Sequence, residues 1–441
     1  MKPIYDCAIV GAGVTGTAIL YILSRYTNLK NIALIEKYGS IASVSSDSKS
    51  NSQTLHFGDI ETNYSLDKAK VVKEAAEMVK RYVDDKNNPE LFRKSYKMVL
   101  AVGAKEVLEL RARYEEFKTL FPNLKLLQKN EIADIEPNLI KGRDPKEPIL
   151  ALWSHDGYAI NYQKLSEAFV SDAKSCGKNI DVLLNTAINS IRKNADGNFT
   201  MRNGNKTLVA KTVIVAAGPY SLLFAQELGI GLDYGILPVV GNFYTSKNFL
   251  NGKVYTMQIK GIPFAAIHGD ADVENPEETR FGPTAKALPL FEKKKYRTFF
   301  DFLKSSVASV AGIVSLVKVV ADKTIVKFIS KNALYDIPLI GKWFFLKEAQ
   351  KIVPSLKYSD IKFGKNLGGL RPQIVNLKTR TLELGEAKLN GENIIFNITP
   401  SPGASVCLKN AEKDAKKIVA FLGPEFNFDT EKFEKDFHPD R

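Results

Sequence analysis

The sequence predicts an α/β protein with α+β elements, in which a Rossmann-type nucleotide-binding domain is interrupted by an inserted, mainly antiparallel β-sheet domain. Three observations predict it. The chain opens on strand, glycine turn, helix, strand and acidic residue between Ile4 and Glu36. Two later stretches repeat parts of that unit: a buried strand, Thr212 to Ala217, closing at Gly218, and a strand from Asn393 to Ile398 that leads through a small-residue turn into a helix. Between them, residues 238–282 hold short β-like runs.

Each residue type in the opening unit has a physical reason. Ile4, Ala8, Ile9 and Val10 supply a short apolar strand, and Gly11, Gly13 and Gly16 follow at G-x-G-x-x-G spacing. The first glycine turns the chain sharply, the second lets a pyrophosphate approach the backbone, and the third lets the helix pack on the strand. The helix, Val14 to Tyr26, presents free N–H groups and a partial positive charge to phosphates. Ile32 to Ile35 forms the second strand. Glu36 then stands 20 residues after Gly16, where a carboxylate accepts hydrogen bonds from a ribose diol and repels a 2′-phosphate. The unit reads as a dinucleotide site that does not take NADP.

Gly39 to Asn51 is polar and serine-rich and directly follows the ribose-binding position, where flavin enzymes often wrap the chain around the cofactor. Periodicity predicts a helix from Leu66 to Tyr82, a strand from Tyr96 to Val102 and an amphipathic helix from Lys105 to Leu120. Lys141 to Pro148 is a charged loop. Asn161 to Cys176 reads as a helix with Asn161 as its N-cap. Val182 to Leu184, Ile188 to Lys193 and Phe199 to Arg202 read as short strands, with Asp196-Gly197 as a hairpin turn. Late in the chain, Ser401-Pro402-Gly403-Ala404-Ser405 opens a helix through Val419, so a second helix N-terminus is expected to point at the cofactor.

At 441 residues the chain can bury a large core, and its hydrophobic content of 44% and charged content of 25% are ordinary globular values. Cys7, Cys176 and Cys407 are far apart and in no C-x-x-C spacing, so neither a disulfide framework nor a zinc site is expected, and a reducing cytoplasm fits. The N-terminal apolar run is broken by Asp6 and the glycines, which reads as nucleotide fold and not as a signal peptide. The longest later apolar run, Val307 to Val317, is too short to span a bilayer. A formal charge of +13 points to an anionic partner: nucleic acid, a membrane surface or an acidic substrate.

Taken with Gly11 to Gly16 and Glu36, several runs resemble the malate:quinone oxidoreductase family, within the D-amino-acid-oxidase-like superfamily of FAD-dependent oxidoreductases. They are Asn51-Ser52-Gln53-Thr54-Leu55-His56, Glu61-Thr62-Asn63-Tyr64, Gly157 to Tyr162, Phe281-Gly282-Pro283, Val353-Pro354-Ser355 and, most specifically, Ser401 to Ser405. L-2-hydroxyglutarate dehydrogenases share Asn51-Ser52 with His56, and Arg371-Pro372-Gln373. The family often has Asn-Ala-Gly-Thr where this chain has residues 51–54, and differs at Phe264-Ala265-Ala266-Ile267.

The resemblance implies tightly, non-covalently bound FAD, oxidation of a 2-hydroxy acid and transfer of electrons to membrane quinone. The acid it implies first is (S)-malate, giving oxaloacetate. It also implies a cytoplasmic enzyme held peripherally on the inner face of the cytoplasmic membrane. On this reading residues 1–75, 150–235 and 352–441 form the FAD-binding domain, and 76–149 and 236–351 the substrate domain. The cofactor-binding residues expected are Gly11, Gly13, Val14, Thr15, Gly16, Glu36, Lys37, Ser50, Asn51, Ser52, Gln53, Thr54, Ala217, Gly218, Pro402, Gly403, Ala404 and Ser405.

Oxidising a 2-hydroxy acid needs a base for the hydroxyl proton, an acceptor facing C2, and cations for the carboxylates. Histidine suits the base because it titrates near working pH. Of the four, His438 sits in the charged tail and His155 in a turn-like stretch before Asp156-Gly157. His268-Gly269-Asp270 resembles the family's His-x-Asp before Phe-Gly-Pro, a pattern in which the histidine is the base, and Asp270 would hold its tautomer. His56 is the second candidate. Arg371, between Gly368-Gly369-Leu370 and Pro372, is the expected carboxylate clamp, because its planar fork binds a carboxylate bidentately. Arg280 is a second, weaker clamp. No metal is expected, since no ligand cluster is visible and the chemistry belongs to the flavin.

Residues 286–351 carry thirteen Lys or Arg against five Asp or Glu, which is most of the net charge. Phe299, Leu303, Val307, Val310, Val314 and Val317 fall between them at helical spacing, and Trp343-Phe344-Phe345 follow. Such a segment either lies in the headgroup layer of an anionic membrane or turns its apolar stripe to the core. A flavoprotein acting on nucleic acid would need aromatics interleaved with the basic residues; here they cluster with aliphatic runs, so nucleic acid is not expected. A non-catalytic FAD-bound scaffold is disfavoured by His268, Asp270 and Arg371.

Overall fold

The computed structural model describes residues 4–258, 266–337, 340–383, 387–400 and 402–439. Three sheets carry the architecture. The first has the order β19 (Ala387–Gly391), β20 (Ile394–Ile398), β9 (Lys206–Val215), β1 (Tyr5–Val10), β2 (Asn31–Ile35), β6 (Asn179–Leu183), with β7 (Ser190–Lys193) and β8 (Phe199–Asn203) paired beside β9. β20, β9, β1, β2 and β6 run parallel. The second sheet has the order β16 (Lys362–Phe363), β11 (Tyr244–Lys247), β14 (Glu278–Gly282), β13 (His268–Ala271), β12 (Lys253–Thr256), β3 (Phe92–Val102), β5 (Ile149–Ile160), β4 (Lys125–Leu127). It is antiparallel except where β12 runs parallel to β3. The third, antiparallel throughout, is β15 (Lys286–Ala287), β10 (Tyr234–Val240), β17 (Leu370–Asn376), β18 (Thr381–Leu382). The fold is the expected α/β class, a parallel nucleotide sheet with a mainly antiparallel sheet inserted in the chain.

The helices are α1 (Val14–Tyr26), α2 (Leu66–Lys86), α3 (Ala104–Phe117), α4 (Lys129–Ile135), α5 (Tyr162–Lys174), α6 (Tyr220–Glu227), α7 (Phe299–Phe302), α8 (Val310–Ala321), α9 (Lys323–Ala333), α10 (Gly341–Gln350), α11 (Cys407–Leu422) and α12 (Thr430–Phe437). α1 is apolar nearly all round because it lies between β1, α5 and α11. The nucleotide sheet divides its residues with period two. Cys7, Ile9, Ile32 and Leu34 face α1 and α5, while Ala8, Val10, Ala33 and Ile35 pack with Phe199, Met201 and Val213.

Most predicted elements form near their expected bounds, and the differences have causes. α2 runs on past Tyr82 to Lys86 and stops at Asn87, left-handed at φ +47°, whose N–H donates to the Val83 and Asp84 carbonyls. β3 starts at Phe92, not Tyr96, because the chain pairs with β5 from Phe92 opposite Ile160. His155, expected in a turn, is an exposed residue of strand β5, beside Trp153. The Asn161 side chain does cap α5, accepting from the Lys164 N–H (3.1 Å). α11 begins at Cys407 instead of in the Pro402–Ser405 turn, where Gly403 and Ser405 donate their N–H groups to the Pro400 and Pro402 carbonyls. Ser401, and Phe264 and Ala265, lie outside the described residues. Residues 150–160, 362–363 and 370–376, expected within the FAD-binding stretches, pair here with the second and third sheets.

The second sheet positions the chemistry. Met98, Leu100, Tyr244, Val254 and Phe281 point to a core completed by Phe345, Ala349 and Val353. The alternate residues Lys97, Lys253, Tyr255, His268, Asp270 and Arg280 share the opposite face by strand register. That face meets the loop after β2: Lys97 Nζ lies 2.7 Å from Asp59 Oδ1, and the Tyr255 hydroxyl lies 2.6 Å from Thr54 Oγ1.

Candidate active site

A cavity of about 330 Å³ opens at the C-terminal ends of β1, β2 and β9, where parallel α/β sheets bind ligands. Gly11 makes the turn at φ +107° and donates its N–H to the Ile35 carbonyl (2.8 Å). A Cβ there would stand 2.4 Å from the Ala216 carbonyl oxygen, so residues 216–218 can pass close only over a glycine. The Ser46 hydroxyl accepts from the Val14 N–H (3.0 Å), which lays the serine-rich loop across the N-terminus of α1. The Thr15 and Thr399 hydroxyls, 3.3 Å apart, bring the loop after β20 to the same wall.

Glu36 is buried on that wall, with Oε2 accepting from the Ala12 N–H (2.9 Å) and Oε1 from the Tyr38 N–H (3.0 Å). Each oxygen keeps a lone pair for a ribose diol. These groups fit a dinucleotide: a bare backbone turn at a helix N-terminus for the pyrophosphate, and an oriented carboxylate for the ribose. Of the residues expected from sequence to bind cofactor or act in catalysis, all line the cavity except Gly16, Gln53, His268, Asp270 and the second clamp Arg280. Gly16 packs, since a Cβ would stand 1.9 Å from the Gly11 carbonyl oxygen.

Beside Lys37 the cavity has a closure that the sequence did not announce. The Glu292 carboxylate gathers the Lys37 ammonium, the Tyr38 and Tyr220 hydroxyls and Lys295 Nζ. Burial works against its charge, but Lys37 and the two hydroxyls prevail and hold it down to about 2.

At the other end, the His56 Nδ1 lies 2.5 Å from Glu61 Oε1, and the His56 ring lines the cavity. The His56 N–H donates to Ser405 Oγ (2.9 Å) and the Tyr162 hydroxyl to the Thr54 carbonyl (2.8 Å), which locks this loop to α5 and the turn before α11. Burial pushes the Glu61 carboxyl up, but His56 and the Lys97 charge outweigh it and hold the group below its ordinary value. Arg371 reaches the cavity from β17. Its guanidinium makes no hydrogen bond or ion pair with the described residues, and burial pulls it below the usual range.

His268 is placed differently from its expected role. Its side chain is 1% exposed, its Nδ1 lies 3.2 Å from the Ala266 carbonyl oxygen, and its Nε2 lies 3.3 Å from Asp270 Oδ1. The ring centre is 4.6 Å from that of Tyr255, which stands between it and Thr54. Burial, then the Lys253 and Arg280 charges, drive its pKa down to about 3 against the pull of Asp270. Asp270 also pairs with Lys253 (3.2 Å) and Arg280 (3.1 Å). Arg280, expected as a second clamp, is spent: it is 1% exposed and shared between Asp270 and Asp272 (3.1 Å), as a buried guanidinium must be. Burial brings Lys253 down to about 8, and its ammonium donates to the Ser52 carbonyl (2.6 Å). Gln53, left-handed at φ +55°, points into this network; its amide donates to Ser48 O (3.2 Å) and Asp272 Oδ2 (3.3 Å) and accepts from the Val273 N–H (2.9 Å). Glu61 was within reach of sequence reasoning, five residues after His56, whereas Lys253, Tyr255 and Glu292 carry no local signal.

Among solved structures, the chain is similar to L-alpha-glycerophosphate oxidase from Mycoplasma pneumoniae with FAD bound (TM-score 0.69, 19% identity, 97% of each chain covered). It is also similar to glycine oxidase from Geobacillus kaustophilus (TM-score 0.65, 17% identity, 94% of each). Both likenesses establish the fold. In sequence it is 43% identical to a probable malate:quinone oxidoreductase of Campylobacter jejuni, over 96% of this chain and 97% of that one. It is 40% identical to the malate:quinone oxidoreductase of Helicobacter pylori, over 99% and 98%. Residues 4–412 match the family described as Malate:quinone oxidoreductase (Mqo). Matched to that family over residues 4–412 and 40–43% identical to these relatives over nearly its whole length, the chain belongs to the malate:quinone oxidoreductase family.

Proposed function

We propose that this chain oxidises (S)-malate to oxaloacetate with FAD as its cofactor and hands the electrons to a quinone dissolved in the membrane, working at the inner face of the cytoplasmic membrane. The observation that carries the substrate class is Arg371, a cation on the cleft wall that no described residue satisfies. A substrate carboxylate supplies the missing acceptors through two parallel charge-assisted hydrogen bonds.

FAD would be held by the Gly11–Thr15 turn, Glu36, Ser50, Asn51, Ser52 and Thr54, Ala217-Gly218 and the turn at Pro402–Ser405, and when bound it supplies the two-electron acceptor. The chain's own residues then have separable tasks. His56 takes the C2 hydroxyl proton: its Nδ1 is held by Glu61, which leaves Nε2 to serve as the base on a residue that lines the cleft. Glu61 fixes the tautomer and stabilises the imidazolium that forms. Arg371 holds the carboxylate so that the C2–H bond faces the acceptor. His268 and Asp270, with Lys253 and Arg280, position the loop through Tyr255 and Ser52. One C–H and one O–H bond of malate are lost, two electrons leave with the hydrogen of C2, and one proton leaves through His56.

The test is anaerobic bleaching of the bound flavin by a panel of 2-hydroxy acids. (S)-Malate should bleach it, and His56→Ala should abolish bleaching with the yellow cofactor retained. Bleaching by L-2-hydroxyglutarate and not by malate would reassign the substrate, and full activity in His56→Ala would return the base to His268.

A further inference from the structure

α8 is apolar on the side that water should see. Its inward positions are Gly312, Ser315, Leu316 and Val319, and the Ser315 hydroxyl donates to the Leu377 carbonyl (3.2 Å). Its outward positions are Val310, Ile313, Val314, Val317 and Val320, exposed by 78, 47, 39, 63 and 37%. Lys318 is the exposed charge on this helix. A single exposed valine needs no account, but a helix whose outward face is mostly aliphatic belongs against a core or against lipid. The bend of 99° between Tyr296–Val307 and Val310–Ala321 leaves Phe299 and Phe300 exposed as well, on the arm that precedes α8. No single described helix is long and apolar enough to cross a membrane.

The charges around this face sort the possible occupants. The lysine run at 293–295 is not free: Lys293 Nζ donates to the Leu367 and Gly368 carbonyls, Lys294 to the Lys365 carbonyl and Asn366 Oδ1, and Lys295 pairs with Glu292. Lys304, Lys318, Lys323 and Lys327 are exposed and make no ion pair with the described residues. Of the carboxylates near them, Asp322 caps α9 by accepting from the Thr324 and Ile325 N–H groups, while Asp301 and Glu227 feel the Lys304 charge without pairing to it among the described residues. A second copy of the chain would set lysine against lysine. An anionic headgroup layer meets both the cations and the valines.

We propose that the outward face of α8, with Phe299 and Phe300, lies in the headgroup layer of an anionic membrane, with Lys304, Lys318, Lys323 and Lys327 against the lipid phosphates. This deepens the reading above, because it names the surface through which a membrane-dissolved acceptor is reached.

The test is co-sedimentation of the FAD-loaded protein with phosphatidylglycerol–phosphatidylcholine vesicles and with phosphatidylcholine alone, at low and high salt. The wild type should bind the anionic vesicles. Val310→Glu with Val317→Glu should weaken binding at least about tenfold at both salt concentrations, because valine burial is salt-insensitive. Lys318→Gln with Lys323→Gln and Lys327→Gln should weaken it roughly a hundredfold at low salt, at about fivefold per lysine, and far less at high salt. Both variants should reduce a soluble dye with malate as the wild type does, and lose activity with a long-tailed quinone. Unchanged vesicle binding by the valine variant overturns the proposal. So does a wild-type dimer that the valine variant dissociates without any vesicle binding, which would make the occupant a second copy. Absence of dye-linked malate oxidation in the wild type would refute the malate reading and leave the vesicle result standing.

Discussion

Arg371→Leu should improve the resting protein and ruin the enzyme. In the substrate-free protein the guanidinium sits in the cleft wall with no acceptor among the described residues, and burial already pulls against its charge. The residue is half-buried on the cavity wall and water reaches part of its charge, so a leucine there should stabilise the substrate-free fold by no more than about 1 kcal/mol. For a chain of this size that is an upward shift of the melting temperature on the order of 1 °C. The cost appears with substrate. Two charge-assisted hydrogen bonds at about 1.5–3 kcal/mol each amount to about 3–6 kcal/mol, a fall in kcat/KM of roughly 10²–10⁴. Arg371→Lys keeps the charge and loses the fork, so it should fall between. The assays are thermal melting of the FAD-loaded protein with and without malate, and dye-linked malate kinetics. Saturating malate should raise the wild-type melting temperature and leave that of Arg371→Leu unmoved. A destabilised variant with an ordinary KM would refute the reasoning, because it would mean that Arg371 serves the fold and not the substrate.

Three further outcomes follow from the same geometry. His56→Ala should lower kcat by about 10²–10⁴ with FAD retained, and Glu61→Gln should lower it less, both read by single-turnover flavin reduction. His268 binds a proton far less readily folded, at about 3, than unfolded, at about 6.5. The unfolded chain therefore takes up a proton first on acidification, and the stability His268 contributes is complete above pH 6.5 and lost as pH falls toward 3. His268→Gln should flatten the slope of unfolding free energy against pH between 6 and 4 by about 1.4 kcal/mol per pH unit, measured by denaturant unfolding; an unchanged slope would show that the ring is not shielded. Gln53→Gly should relieve about 1 kcal/mol of left-handed backbone cost but lose three hydrogen bonds at about 1 kcal/mol each, a net loss of about 2 kcal/mol in urea unfolding.

What was legible in the sequence was whatever a local rule governs. The β1–α1–β2 unit could be read residue by residue, because the glycines, the helix dipole and Glu36 act within one turn of chain. Asn161 announced its own helix. His56, the second base candidate read from sequence, and Arg371, the expected clamp, both line the cavity, each close in the chain to a turn that could be read locally. Long-range pairing hid the rest. Nothing local says that Arg280 will meet Asp270 and Asp272, because that depends on β13 and β14 lying in register. Nor does a run of three lysines say that two will turn inward to the carbonyls of 365–368. Gln53 reads as an ordinary polar residue until its backbone is seen to be left-handed. The α8 stripe was ambiguous in kind, and the helix proves apolar on both faces, which periodicity cannot express.

The order of the first sheet sets a timetable for synthesis. β1 emerges first, but its neighbour β9 lies about 200 residues later, and α11, which covers α1, lies about 200 beyond that. At ribosomal rates of about 5–20 residues per second, β1 and α1 wait roughly 10–40 s for β9 and roughly 20–80 s for α11. Until α5 and then α11 follow, part of a nearly all-apolar helix is uncovered in the cell, and one edge of β1 stays open until β9 arrives. The nascent chain therefore needs holding chaperones until α11 has emerged. Any truncation upstream of about residue 420 removes cover from α1, and with it the floor on which the glycine turn stands.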